Sequence, residues 1–266
     1  MKRMFLEDIF LIVCHYVKFL IGLRRPNTQR RGNMNEQLHS TLSAPDKARW
    51  CPVIPSADLP ASVNVTLGFL NGEEVALWRA DNGAPQAWQN KCPHRGLRFT
   101  LGRVINNRLS CAYHGWEYQA GDGRCVSIPA HPQMPAPRNI CASTFYVVES
   151  DGMVWVSKED PRTPPPTFAS KTYLRTMGIR APQKVAEEVL EKRSWRPVAP
   201  AVFRGTVGDH TAFAYLAKSG DELVLLHVAV DAAADAVSFQ SAHAQLKKLR
   251  GEIEIAWKKQ GELHAT

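Results

Sequence analysis

Two short stretches constrain this chain more than anything else in it: Cys-Pro-His-Arg-Gly at 92–96 and Cys-Ala-Tyr-His-Gly-Trp at 111–116. Reduced to side chains that bind metals, they read C-x-H, sixteen intervening residues, then C-x-x-H. Cys92, His94, Cys111 and His114 offer two thiolates and two imidazoles. Two ligands in each of two short loops can close over a small cluster from opposite sides. The set matches a [2Fe–2S] centre in which Cys holds the inner iron and His the outer one. A single zinc is the competing reading, because two Cys and two His also hold zinc. Zinc fingers usually place a Cys pair first and a His pair after it, whereas here Cys and His alternate.

The residues around the loops read as β-structure. Val63 to Phe69 and Glu74 to Arg79 are short strand candidates on either side of Asn71-Gly72, a hairpin signal. Gln86 to Gln89 leads into the first loop. Arg103 to Ile105 and Arg108 to Cys111 flank Asn106-Asn107, so one hairpin connects the two loops and accounts for their separation. Trp116 to Tyr118 and Val126 to Ile128 form another hairpin. Phe145 to Val148 and Met153 to Val156, around Asp151-Gly152, form the last. Many short strands with regular turns imply a small antiparallel sandwich or barrel with the loops at its tip.

With the C-P-H-R-G and C-x-x-H-G-W blocks in place, the stretch from Trp50 to Val156 resembles the Rieske domain of bacterial Rieske oxygenases. The resemblance implies a Rieske-type [2Fe–2S] cluster on Cys92, His94, Cys111 and His114. It also implies the low-potential branch, since neither loop carries the extra Cys that forms a disulfide in respiratory Rieske proteins. Gly96 and Gly115 are expected to let backbone N–H groups approach the cluster sulfides, and Tyr113 to offer its hydroxyl to a sulfur. Trp116 either shields the base of the cluster or packs in the core. Arg95 and Arg98 are candidates for a docking face.

The charge of +8 is uneven. Residues 1–33 contain Lys2, Arg3, Lys18, Arg24, Arg25, Arg30 and Arg31 against Glu7 and Asp8, leaving only +3 for the rest. No basic stripe interleaved with aromatics appears, which argues against nucleic acid as a partner. Residues 9–23 are apolar but interrupted by His15 and Lys18, and are short of the roughly 20 residues a spanning helix needs. They read as a weak membrane segment, an interfacial helix, or an extension ahead of a start at Met34. The last gives a cytoplasmic protein; membrane attachment through residues 9–23 is the alternative.

The expected organisation is an N-terminal extension over 1–33, a Rieske domain over 34–157, a proline-rich linker over 158–170 and a truncated α+β domain over 171–266. Gln183 to Arg193 reads as a helix with Val185, Ala186, Val189 and Leu190 on one face. Ala201 to Val207, Ala212 to Ala217 and Leu223 to Val230 read as strands. Val237 to Lys259 reads as a helix with a stripe of Phe239, Ala242, Leu246, Leu249, Ile253 and Ala256. The fold class is therefore mainly β: an antiparallel Rieske sandwich, then a small α+β segment resembling part of a helix-grip catalytic domain.

Complete Rieske oxygenases hold a second, mononuclear iron through two His and a carboxylate, with the His pair spaced H-x4-H on a helix. No two His here are five apart; His210 and His227 are the remaining candidates. No G-x-G-x-x-G fingerprint and no C-x4-C-x2-C set follows. The reading is a Rieske electron-transfer component of a multicomponent oxygenase or demethylase, with a mononuclear Fe(II) not expected on this chain. Its implied partners are a separate flavin or iron–sulfur reductase and an oxygenase subunit carrying mononuclear iron, with homo-oligomers open. The alternatives are a compact intact Rieske oxygenase for aromatic or N/O-methyl substrates, and a non-catalytic Rieske redox or assembly module.

Overall fold

The computed structural model describes residues 49–264 except residue 171; the apolar run 9–23, Cys14 and Met34 lie outside them. Strand ends are set by turn chemistry. Strands β2 (Thr66–Leu70) and β3 (Glu73–Arg79) are joined by Asn71 and Gly72, both at positive φ (53° and 89°). Such two-residue turns match the right-handed twist of the strands they join. Asn106 and Asn107 (48° and 60°) do the same for β5 (Arg103–Ile105) and β6 (Arg108–Ser110). Asp151 and Gly152 do it for β9 (Tyr146–Ser150) and β10 (Met153–Ser157).

The first part contains three small antiparallel sheets. Strand β1 (Cys51–Pro55) pairs with β10 and β9; β2 and β3 pair with β4 (Pro85–Gln89); β5 and β6 pair with β7 (Glu117–Gln119) and β8 (Cys125–Ser127). One buried cluster, with Val53, Leu70, Leu77 and Val156, fills the space between the first two sheets. A second, with Trp78, Trp88, Phe99, Leu109 and Tyr118, lies under the Cys-His loops. Its aromatic rings meet edge-on in sequence: Trp78 on Trp88 at 5.2 Å, Trp88 on Phe99 at 5.8 Å, Phe99 on Tyr118 at 5.3 Å.

The proline-rich stretch that follows has no regular structure but is tied down. Trp50 Nε1 donates to the Thr163 carbonyl at 2.6 Å, and the backbone N–H groups of Phe168 and Ala169 donate to Asp151. Beyond it lies a five-stranded antiparallel sheet. Its order is β11 (Thr172–Ile179), β15 (Val224–Val230), β14 (His210–Lys218), β13 (Val202–Val207) and β12 (Arg196–Ala199). Helices α1 (Gln183–Lys192) and α2 (Phe239–His264) cover one face. The four expected apolar residues of α1 are buried, as are Ala242, Leu246, Leu249 and Ile253 of α2, while Phe239 stays 37% exposed.

Both parts belong to one compact unit. Alternation along β14 explains how. Ala212, Ala214 and Leu216 face the helices; Phe213 and Tyr215 face the first part and pack with Met153 and Trp155. A strand covered on both faces reads as a continuous apolar run, and Ala212 to Ala217 is one.

Candidate iron–sulfur site

The first Cys-His loop lies between β4 and β5, the second between β6 and β7. Their backbones close in the same way. Cys92 N–H donates to Leu97 O at 2.8 Å, and Gly96 N–H returns to Cys92 O at 2.8 Å. Cys111 N–H donates to Trp116 O, and Gly115 N–H returns to Cys111 O, both at 2.9 Å. Each glycine sits at positive φ, 76° and 69°, where a Cβ is strained. The Gly115 position is also crowded, since a Cβ there would lie 3.0 Å from Pro129.

These closed loops bring the four expected residues around one small hollow, together with Arg95, Leu97, Tyr113 and Trp116. The thiols lie deep: Cys92 is 2% exposed and Cys111 3%. The imidazoles lie at the rim, His94 half-buried and His114 exposed, with ring centroids 4.8 Å apart. Both are braced by aromatic rings. His94 stacks on Trp116 at 4.0 Å and 8°, and His114 on Tyr113 at 3.8 Å and 26°. Partial burial, then His114 and Arg95, hold His94 below the usual imidazole value, which keeps a nitrogen lone pair free for a metal.

The sulfurs have their own hydrogen-bond partners. Burial pushes the Cys111 thiol up, and backbone N–H groups of Tyr113 and His114 oppose it. Tyr118, fully buried on β7, places its hydroxyl 3.2 Å from Cys92 Sγ. One expectation changes here. The hydroxyl at a sulfur belongs to Tyr118, because Tyr113 lies flat against His114 and is 61% exposed. The glycine N–H groups close the loops onto carbonyls, and the second loop so closed brings the Tyr113 and His114 N–H groups to the Cys111 sulfur. Trp116 joins the rim as the brace of His94. Arg98 pairs with Glu74 at 2.7 Å, while Arg95 stays exposed at the hollow.

Two buried soft donors, two outward imidazoles and inward N–H groups fit a [2Fe–2S] cluster with a Cys pair on one iron and a His pair on the other. Among the described residues, no three His, Cys, Asp or Glu side chains converge on a single ion position. Cys51, Cys125 and Cys141 are free thiols that do not line the hollow, although Cys125 is buried in the same cluster as Cys92 and Cys111. His131 is exposed in the loop after β8.

The structure does not bring His210 and His227 together. His227 on β15 stands opposite Tyr215, and His210 lies five residues back along β14, about 17 Å at ~3.4 Å per residue. That odd offset puts it on the opposite face of the sheet, where Nε2 lies 3.2 Å from the Ala236 carbonyl. His227 faces the first part of the chain and bonds through Nδ1 to Thr176 Oγ1 at 2.6 Å.

Fold and site together define a Rieske-type iron–sulfur protein, and residues 49–148 match the Rieske [2Fe-2S] domain family. Those residues carry a Rieske [2Fe–2S] domain, and the chain is similar to proteins that contain one. It is 44% identical over 116 residues to the oxidoreductase NdmD of Pseudomonas putida, covering 44% of this chain and 20% of that protein. It is 34% identical over 108 residues to the oxygenase subunit of a 3-chlorobenzoate-3,4-dioxygenase of Comamonas testosteroni, covering 40% and 25%. The chain thus spans about a fifth to a quarter of the length of these curated relatives. The crystal structure of apo dicamba monooxygenase shares the fold over 83% of this chain and 89% of that one, with a TM-score of 0.66 at 18% identity. No helix among the described residues is long and apolar enough to cross a membrane.

Proposed function

We propose that this chain is the Rieske electron-transfer component of a multicomponent oxygenase or demethylase. It would accept single electrons from a separate flavin or iron–sulfur reductase and pass them to a mononuclear iron on a partner chain. The carrying observation is the depth order of the ligands, with thiols buried at 2–3% exposure and both imidazoles at the rim. A [2Fe–2S] cluster bound here supplies one-electron transfer. His94 and His114 then place conjugated ligand edges at the surface, where a partner can approach. Trp116 and Tyr113 hold those edges in orientation, and the closed backbone loops keep water from the sulfurs. The 44% identity over 116 residues to a protein named as an oxidoreductase supports a redox role for the matched segment.

A compact intact oxygenase is the second reading, favoured by the fold likeness to dicamba monooxygenase, which extends through the C-terminal sheet. Iron, sulfide and zinc per chain, with an EPR spectrum after dithionite, separate the two. Two irons, two sulfides and a rhombic signal are expected, and Cys92→Ala or His114→Ala should abolish that signal. A third iron with substrate turnover in the presence of a reductase alone would favour the second reading. Zinc without sulfide, or a normal cluster in either variant, would refute the ligand assignment.

A further inference from the structure

Positive charge is concentrated at the ligand loops. Residues 82–116 contain Lys91, Arg95, Arg98, Arg103 and Arg108 and no Asp or Glu, a net charge of +5. Everything beyond residue 33 sums to +3, so the rest of that part of the chain is net acidic. Two of the five cations are neutralised: Arg98 pairs with Glu74 at 2.7 Å and Arg108 with Glu117 at 3.0 Å. Lys91, Arg95 and Arg103 are exposed and have no carboxylate partner among the described residues.

All three unpaired cations sit at the loops. Arg95 lines the hollow together with His94. The Lys91 side chain lies over the first loop, where a Cβ on Gly96 would meet its Cε at 3.4 Å. Arg103 opens β5 as the first loop ends and stands opposite Ser110, the residue before Cys111. The same segments expose apolar side chains, with Tyr113 61% and Leu101 62% exposed. Arginine beside exposed aromatic and aliphatic side chains is the composition of a protein-docking surface.

We propose that this basic collar docks the acidic surface of the protein that delivers electrons to the cluster. The inference rests on the electron-carrier reading above and adds the chemistry of the donor: a flavin or iron–sulfur protein with carboxylates around its own exposed redox group. Opposite charges speed encounter and fix its orientation. Here they bring the donor onto the rim where His94 and His114 present their edges. In the step itself the donor loses one electron and the cluster gains it, with no bond made or broken.

Reduced flavodoxin, an acidic flavin protein, is the protein probe, and the methyl viologen radical cation is the small one. Each reduces the full chain carrying its cluster in stopped flow, at about 10 mM and about 1 M salt, which shortens the Debye length from about 30 to 3 Å. The second-order rate of wild type with flavodoxin should fall about 10- to 1,000-fold at the higher salt. Reversing all three charges, Lys91→Glu with Arg95→Glu and Arg103→Glu, should cost a similar factor at low salt, and the same variant should react faster with the viologen cation. A changed reduction potential would move both rates the same way, whereas changed steering moves them oppositely. Affinity for oxidised flavodoxin, measured by calorimetry, should fall along with the rate. Lys247→Glu, exposed on α2, is the control and should match wild type throughout. If the triple variant fails to fold, Arg95→Glu alone and the wild-type salt dependence decide. A cluster that neither donor reduces would overturn the electron-carrier reading and this one with it. Normal reduction by viologen, with a flavodoxin rate indifferent to salt and to the three reversals, overturns this proposal alone. So does binding of a DNA or RNA duplex through the three cations with the flavodoxin rate unaffected.

Discussion

Tyr118→Phe should lower the reduction potential of the cluster by about 40 mV. The substitution removes one oxygen atom from a fully buried ring and leaves its edge-on contact with Phe99 in place. What is lost is the hydroxyl 3.2 Å from Cys92 Sγ. Burial, and then Cys92 itself, push that phenol far above its ordinary pKa, so it keeps its proton and acts as a donor to a ligating thiolate. Reduction adds negative charge to the cluster and its sulfur ligands, so the donor stabilises the reduced form more. A hydrogen bond to a charged group contributes about 1.5–3 kcal/mol. Only its difference between the two redox states counts, taken here as about 1 kcal/mol. At 1.4 kcal/mol and 59 mV per tenfold for one electron, that is about 40 mV. The assay is a redox titration followed by EPR or visible circular dichroism at one pH, with iron and sulfide content matched to wild type. A potential unchanged within 10 mV, or one that rises, would refute the reasoning. Tyr113→Phe is the internal control and should leave the potential near wild type, because its hydroxyl has no sulfur partner.

Two further predictions concern the scaffold. Arg79 makes a two-pronged ion pair with Glu149 at 2.6 and 2.7 Å, and that hydrogen bonding holds the Glu149 carboxyl below its usual pKa. Its stabilisation is therefore complete above the unfolded-state pKa, near 4.3, and disappears as pH falls through the lower folded value. Glu149→Gln should cost about 1–2 kcal/mol at pH 7, and denaturant melts of the two proteins should converge below pH 4; a gap that widens in acid contradicts the assignment. In the C-terminal sheet, a Cβ on Gly205 would lie 2.2 Å from the buried Trp195 indole. Gly205→Ala should cost about 1–3 kcal/mol by overpacking and leave the EPR spectrum of the cluster unaltered. A silent substitution in thermal melts would show that Trp195 is free to move away.

What could be read from the sequence follows from how locally each feature is encoded. The grouping of Cys92, His94, Cys111 and His114 around one hollow depends on residue type at fixed offsets, and the hairpins on Asn, Asp and Gly pairs that alone tolerate two positive φ values. Both were legible. The α1 and α2 faces were legible because a helical stripe survives without knowing its partner. Strand β11 was not, since a register shift between Tyr173 and Arg175 breaks its alternation: Leu174 is buried together with Met177 and Ile179, an odd step away. Edge strand β12 carries Pro197 and exposed residues, so locally it reads as a loop. Tyr118 and Tyr113 are both tyrosines near Cys111, and choosing between them needed the strand. As an inward residue of β7, paired with the buried Leu109, Tyr118 is aimed under the loops. The one available signal was its place two residues beyond Trp116, within the strand expected there.

The shared closure of the two loops also explains why their spacings differ. Gly sits four residues after Cys in both, and its N–H returns to the Cys carbonyl. With loop length fixed by that bond, the His can stand at the second position after Cys or at the third and still reach the rim. The second loop uses the freed position for Tyr113, which stacks on its own His114, and ends on Trp116, which stacks across on His94. The first loop puts Arg95 there and supplies no ring of its own. Both outward imidazoles are therefore oriented by one loop, the loop that also aims two backbone N–H groups at Cys111. Damage to the second loop should loosen both halves of the centre, whereas damage at Arg95 should alter the charge beside His94 and leave the ligand geometry intact.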